Sequence, residues 1–213
     1  MSHVPVPIVF VVDADISVRQ SLKMLIQIAG WQAESFASAR EFLARTRTSV
    51  PCCLIVDAFL PDMSGLELQE RIAAERNAMP TIFLSSRCDI QTTVKAMKAG
   101  AMEFLTKPVE PEMLLNAIGQ AIKRSEAVLG RESELQALRS SYGSLTSRER
   151  EVMTLVASGL LNKQVGGELG ISEITVKAHR GNVMRKMRAD SFADLVTMAL
   201  RLRVVRPVAA FAA

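Results

Sequence analysis

The sequence predicts an α/β protein: a parallel five-stranded sheet with helices on both faces, followed by a second, smaller all-α domain of four helices. Three observations carry this. Over residues 1–125, short apolar β-branched runs alternate with apolar residues at helical spacing, the pattern of a parallel sheet with crossover helices. From Leu145 onward only helical spacing remains. The charge is also unevenly placed: residues 1–125 hold 13 Lys+Arg against 13 Asp+Glu, whereas residues 126–213 hold 13 against 9. A neutral part joined to a basic part suggests one module that senses and one that meets a polyanion.

In chain order, Ile8–Val12, Leu54–Asp57 and Thr81–Ser85 are the clearest strands, with shorter ones near Ala33–Phe36 and Met102–Thr106. Val18, Leu22, Leu25 and Ile26 mark a helix that Gly30 stops. Leu66, Leu68 and Ile72, then Val94 and Met97, then Met113 to Ile122 mark others. Residues 126–143 are polar, interrupted by Gly130 and Gly143, and are expected to form a partly helical linker; its Leu135/Leu138 pair also suits a short dimerising helix. In the last part, residues 144–213, Thr146-Ser147-Arg148-Glu149 is a capping box ahead of Val152, Leu155 and Val156. Gly159 ends that helix. Asn162 is the expected cap of a second helix ending at Gly170, Ser172 caps a third running to about Met187, and Asp190-Ser191 opens a fourth. A glycine-containing turn before the third helix makes this a helix-turn-helix unit.

No apolar run is long enough to span a bilayer, and "MSHVPVP" lacks the features of a secretion signal. A soluble cytoplasmic protein without a membrane partner is the expectation. Cys52, Cys53 and Cys88 form neither a CxxC pair nor a cluster with histidine, so they are read as small buried hydrophobes and not as a disulfide or zinc site.

Ligands of doubly wound sheets bind beyond the carboxyl ends of the strands. In the flavodoxin-like order, strands one and three are neighbours. Asp13 at the end of strand one should therefore face Asp57 at the end of strand three, with Asp15 nearby and, by alternation, on the same side. Like charges this close need a cation between them, and carboxylates with water suit Mg2+. Ser85 ends strand four and Lys107 ends strand five, with Lys107-Pro108 a candidate cis bond. A carboxylate, a hydroxyl, an ammonium and a metal make a site for phosphoryl transfer. Singly, each residue has a plainer role: Asp13 or Asp15 as a helix cap, Ser85 as structure, Phe104 as core, Lys107 as a solvated charge. Their joint placement at successive strand ends carries the argument.

Asp13, Asp57, Ser85, Phe104 and Lys107-Pro108 resemble the signature of a response-regulator receiver domain, over roughly residues 6–125. The resemblance implies that Asp57 accepts a phosphoryl group from a sensor histidine kinase, with Ser85, Phe104 and Lys107 completing the switch. Ser85 would swing toward the phosphate and Phe104 would rotate inward, reshaping the surface of helix four, strand five and helix five. It also implies a Mg2+ site of Asp13, Asp15, Asp57 and Phe59. Receivers usually end strand one with two adjacent acids; here the second position is Ala14. That departure implies weaker Mg2+ affinity with the site retained.

The third C-terminal helix, "SEITVKAHRGNVMRKMRA", places Val176, Val183 and Met187 on one face and Lys177, Gly181, Arg185 and Arg188 on the other. Residues 173–188 hold five Lys+Arg and one acid, a charge that suits the DNA major groove. "LTSRE", "NKQV" and "ISEITVKAHR" resemble the LuxR-type helix-turn-helix of the NarL/FixJ class, over about residues 143–205. By that resemblance Thr175, Lys177, Ala178 and Arg180 face DNA and Lys163 touches phosphate, while His179 is either a packed histidine or a phosphate contact. Gly166-Gly167 departs from the pattern, since interior glycines cost about 1 kcal/mol each relative to alanine.

The resulting expectation is a two-component response regulator, not an enzyme. Phosphorylated on Asp57, it would dimerise, bind promoter DNA and regulate transcription with RNA polymerase as a further partner. One alternative is an atypical receiver regulated by a ligand or partner without phosphate, which Ala14 favours. A hydrolase or phosphatase is opposed by the lack of a Ser/His/Asp set, His3 and His179 being the two histidines.

Overall fold

The computed structural model describes residues 6–46, 48–75, 79–86 and 89–205; His3 and Cys88 lie outside them. Five strands, β1 (Ile8–Val12), β2 (Gln32–Phe36), β3 (Cys52–Asp57), β4 (Thr81–Ser85) and β5 (Glu103–Thr106), alternate with α1 (Ile16–Ile28), α2 (Ala39–Leu43), α3 (Gly65–Glu75), α4 (Ile90–Lys98) and α5 (Pro111–Gly143). All pairings are parallel, in the order β2-β1-β3-β4-β5. β3 starts two residues earlier than its apolar run suggested, because Cys52 and Cys53 pair in register with Ile8 and Val9.

Period-two alternation sorts the strand side chains into two cores. Phe10, Val12, Leu54, Val56 and Phe83 pack against Ala39 and Phe42 of α2, Leu68 and Ile72 of α3 and Ala96 of α4. Val9, Val11, Ile55, Ile82, Leu84 and Leu105 pack against Leu22 and Ile26 of α1 and Leu114 to Ile122 of α5. Cys52 faces the first core and Cys53 the second, and both are free and buried; burial pushes the Cys53 thiol well above its ordinary value.

Contacts divide the chain into units 1–130 and 131–213. The expectation of a partly helical linker needs correction. α5 is helical throughout Pro111–Gly143, Gly130 included, since one glycine inside a helix weakens it without breaking it.

The second unit holds α6 (Ser147–Ala157), α7 (Asn162–Leu169), α8 (Glu173–Met187) and α9 (Phe192–Arg201). Its core is Leu138, Leu145, Val152, Met153, Leu155, Val156, Val165, Val176, Val183, Met187 and Leu195. The Thr146–Glu149 capping box forms on α6. Ser172 and Ser191 cap α8 and α9 through Thr175 N and Asp194 N. Asn162 is not the cap of α7. Leu161 takes that position, and its N–H donates to Gln164 Oε1 at 2.8 Å. Asn162 is already helical, which frees its side chain for α8. Gly170 (φ 65°) ends α7 in the left-handed conformation. Among the described residues no helix is long and apolar enough to cross a membrane.

Candidate functional site

The β1–β3 pairing brings the two strand ends together, with Val12 opposite Val56. Asp13 and Asp57, the next residues along, meet on the Lys107 ammonium. Lys107 Nζ donates to Asp13 Oδ2 at 2.5 Å and to Asp57 Oδ2 at 2.6 Å. The remaining carboxylate oxygens accept backbone N–H groups, Asp13 Oδ1 from Asp15 and Asp57 Oδ1 from Phe59, each at 2.9 Å. Asp13 is 2% exposed. Burial alone would push the Lys107 ammonium down, but its hydrogen bonds to Asp13 and Asp57, and their charges, outweigh that and hold it above the ordinary lysine value. The Lys107-Pro108 bond is cis.

Ser85 is fully buried at the end of β4, and its carbonyl accepts from Lys107 N at 2.9 Å, so it lies at the same rim. Phe104 of β5 is half-buried against the first core. Its ring stacks on Phe83 of β4 at 5.7 Å between centroids.

Asp15 does not join the cluster, and the expected same-side placement fails. The extended chain stops at Val12, and the Asp13 carboxylate turns the backbone back through Asp15 N. The Asp15 carboxylate then caps α1, accepting from Ser17 N at 2.7 Å and Val18 N at 3.4 Å. Among the described residues, no group of three or more His, Cys, Asp or Glu side chains is placed to share a metal. The donors that remain fit Mg2+ in a lean form. Two neighbouring carboxylates carry one negative charge more than Lys107 cancels, and among the described residues each oxygen accepts one hydrogen bond of the two it can take. Phe59 borders this site through its backbone N–H, and the residue as a whole is 52% exposed.

Sequence reasoning missed two rim residues. Arg19 of α1 reaches back to the carbonyls of Asp13 (2.7 Å) and Ala14 (2.9 Å) through one guanidinium nitrogen. Helical side chains lean toward the N-terminus, so an arginine in the first turns of α1 was the available signal. Gly65, which opens α3, lies so near β3 that an added Cβ would stand 2.6 Å from the Asp57 carbonyl; the glycine in "DMSG" was its signal.

In the second unit α8 carries the basic face. Val176, Val183 and Met187 are buried, while Lys177, Ala178, Gly181, Arg185 and Arg188 are exposed, as is Lys163 on α7. Ile174 is 79% exposed. Lys177 pairs loosely with Glu173 at 3.2 Å. Thr175 and Arg180 are less open than the resemblance implied. The Thr175 hydroxyl is 2.8 Å from that of Ser172. Arg180 is half-buried, donates to Asn162 Oδ1 at 3.0 Å and lies 4.7 Å over the Phe192 ring. It thereby ties the starts of α7 and α9 to α8. His179 is half-buried. Lys186 reaches the buried Glu149 of α6 at 2.6 Å; this hydrogen bond, with that from Thr146 N, holds the Glu149 carboxyl below its ordinary value. Gly166 packs against the turn after α7, where an added Cβ would stand 2.8 Å from the Ile171 carbonyl, whereas Gly167 has nothing within 4 Å.

Comparison with known proteins agrees with both halves. Residues 9–119 match the response regulator receiver domain family. Residues 143–199 match the bacterial regulatory proteins of the luxR family. Nodulation protein W of Bradyrhizobium diazoefficiens is 46% identical over 197 residues, covering 92% of this chain and 87% of that protein. The response regulator protein TmoT of Ectopseudomonas mendocina is 41% identical over 196 residues, covering 92% and 89%. Among solved structures, the response regulator StyR superposes with a TM-score of 0.82 at 45% identity, over 92% of this chain and 100% of that one. With a flavodoxin-like receiver in front and a helix-turn-helix behind, the chain belongs to the two-component response regulators of the NarL/FixJ class.

Proposed function

We propose that a sensor histidine kinase phosphorylates Asp57 and that this changes how α8 grips promoter DNA, thereby regulating transcription. In this reading residues 1–125 are the receiver, 126–143 the connecting helix and 144–213 the DNA-binding domain. The observation that carries it is the single ammonium of Lys107 shared by two adjacent carboxylates at the sheet's carboxyl rim. An Asp57 oxygen attacks phosphorus; the new P–O bond forms as the donor's P–N bond breaks, and the leaving imidazole takes a proton from solvent. Lys107, already against Asp57 Oδ2, is placed to meet the added phosphoryl charge. Asp13 and Asp57, with the Phe59 backbone, would hold Mg2+, which supplies positive charge against the phosphoryl oxygens. Ser85 and Phe104 then report the change: the hydroxyl as a donor to the phosphoryl group, the ring through its packing on Phe83. Phosphorylation favours a homodimer on two-fold related half-sites, and RNA polymerase is the downstream partner in the cytoplasm.

The test is Asp57→Asn against the parent, each treated with acetyl phosphate and Mg2+, on genomic fragments captured by the treated parent. The parent is expected to gain affinity on treatment and the variant to gain none. Equal affinity of the variant and the treated parent would overturn the proposal. A second reading, control by a ligand or partner without phosphate, is favoured by Ala14 and by the commitment of Asp15 to capping α1. It requires that no Mg2+-dependent modification of Asp57 occurs.

A further inference from the structure

The exposed face of α8 is not uniformly basic. Ile174, Ala178 and Gly181 lie in one row, spaced by four and three residues, with Lys177, Asn182 and Arg185 beside them, and all six are exposed. A single exposed isoleucine is ordinary on a protein surface. This one is 79% exposed, in the first turn of a helix, beside the Glu173–Lys177 ion pair and ahead of the exposed Arg185. Gly181 is the second anomaly. It sits inside a 15-residue helix, with no left-handed φ and nothing within 4 Å of an added Cβ. Neither the turn chemistry nor the packing of this chain calls for a glycine there, and glycine weakens a helix interior. A low apolar strip flanked by cations is complementary to the floor of a major groove. There the thymine C5-methyl is the apolar element of the base-pair code, and phosphates line both rims.

We infer that Ile174 is a specificity residue that packs on a thymine methyl, with Ala178 and Gly181 keeping the strip low enough for α8 to seat deeply. This rests on the reading that α8 enters the DNA major groove, and names what it reads there. Recognition helices present their N-terminal residues to base edges, and Ile174 is the second residue of α8. Lys177 and Arg185 supply the flanking phosphate contacts.

The experiment uses the full chain. A binding site is selected from a random duplex library, and each thymine in turn is replaced by deoxyuridine, which removes only the C5-methyl. For the parent, one position per half-site is expected to lose about fivefold in affinity, within the range of a single base contact. The Ile174→Ser variant is expected to bind the thymine and uracil duplexes alike, with the affinity that the parent shows for the uracil duplex. Helical circular dichroism confirms that the variant is folded. A parent that selects a site but is indifferent to every uracil replacement overturns the inference while leaving the groove reading intact. Full uracil sensitivity in Ile174→Ser does the same. Should Lys177→Ala and Arg185→Ala together leave duplex affinity and its salt dependence untouched, the groove reading itself fails.

Discussion

Replacing Glu149 by glutamine isolates one charge in the DNA-binding unit. Glu149 is 4% exposed. Its carboxylate accepts Thr146 N at 2.8 Å and Lys186 Nζ at 2.6 Å, so one side chain both caps α6 and anchors α8. Glutamine keeps the shape and one acceptor but removes the carboxylate charge from both bonds and leaves the Lys186 ammonium without its counter-charge. A hydrogen bond to a charged group contributes about 1.5–3 kcal/mol and a neutral one about 1, so the two together should lose about 2 kcal/mol. For a unit of this size that is roughly 8–16 °C in melting temperature. The Glu149 carboxyl is held below its ordinary value of 4.5. Its contribution is therefore fully present above that value and fades as pH falls through the lower folded one. The gap between parent and Glu149→Gln should be widest near pH 7 and shrink as the pH falls below 4.5. The chain's one tyrosine and one tryptophan separate the two units: Tyr142 packs on the C-terminal core and Trp31 on the receiver core. Near-ultraviolet circular dichroism of Tyr142 should shift while Trp31 fluorescence melts as before. A gap of constant size across that pH range, or a shift in the Trp31 transition, would refute the reasoning.

The two adjacent glycines of α7 should respond oppositely to alanine. Gly167→Ala, in open space, is expected to raise stability by about 1 kcal/mol, whereas Gly166→Ala must push the Ile171 carbonyl aside and lower it; chemical denaturation of the two variants gives both signs. Lys107→Met leaves two neighbouring carboxylates without their shared ammonium and should destabilise the receiver by about 3 kcal/mol. Magnesium chloride should then raise the variant's melting temperature more than the parent's, as read from Trp31 fluorescence. Arg180→Ala removes the Asn162 hydrogen bond and the stacking on Phe192, so DNA affinity measured by fluorescence anisotropy should fall together with the Tyr142 melting temperature.

The sheet was legible because β1, β3 and β4 are compact apolar runs, and neighbouring residues such as Cys52 and Cys53 fill opposite cores. Asp13, Asp57, Ser85 and Lys107 were legible because the doubly wound topology sends every strand's carboxyl end to one rim. The error at Asp15 came from carrying strand alternation past the point where the chain leaves the sheet. The Asp13 carboxylate binds the Asp15 N–H, and a helix start then consumes the second acid. Asn162 misled for a related reason. Its composition suits a cap, but the helix begins one residue earlier and the side chain serves Arg180. Arg19 was easy to miss because its partners are backbone carbonyls, so its place in the first turns of α1 was the one hint of them. Arg180 was read as facing DNA from the family resemblance, and sequence alone cannot show that Asn162 and Phe192 hold it.

The tie between Asp13 and Lys107 joins residues 94 positions apart. It forms only after the last strand has docked on β4, because Lys107 follows directly from β5. A ribosome must therefore finish the entire sheet before either rim carboxylate, Asp13 or Asp57, gains its counter-ion. Shortened or half-made chains display both acids without it, so the topology itself reserves the completed rim for finished copies.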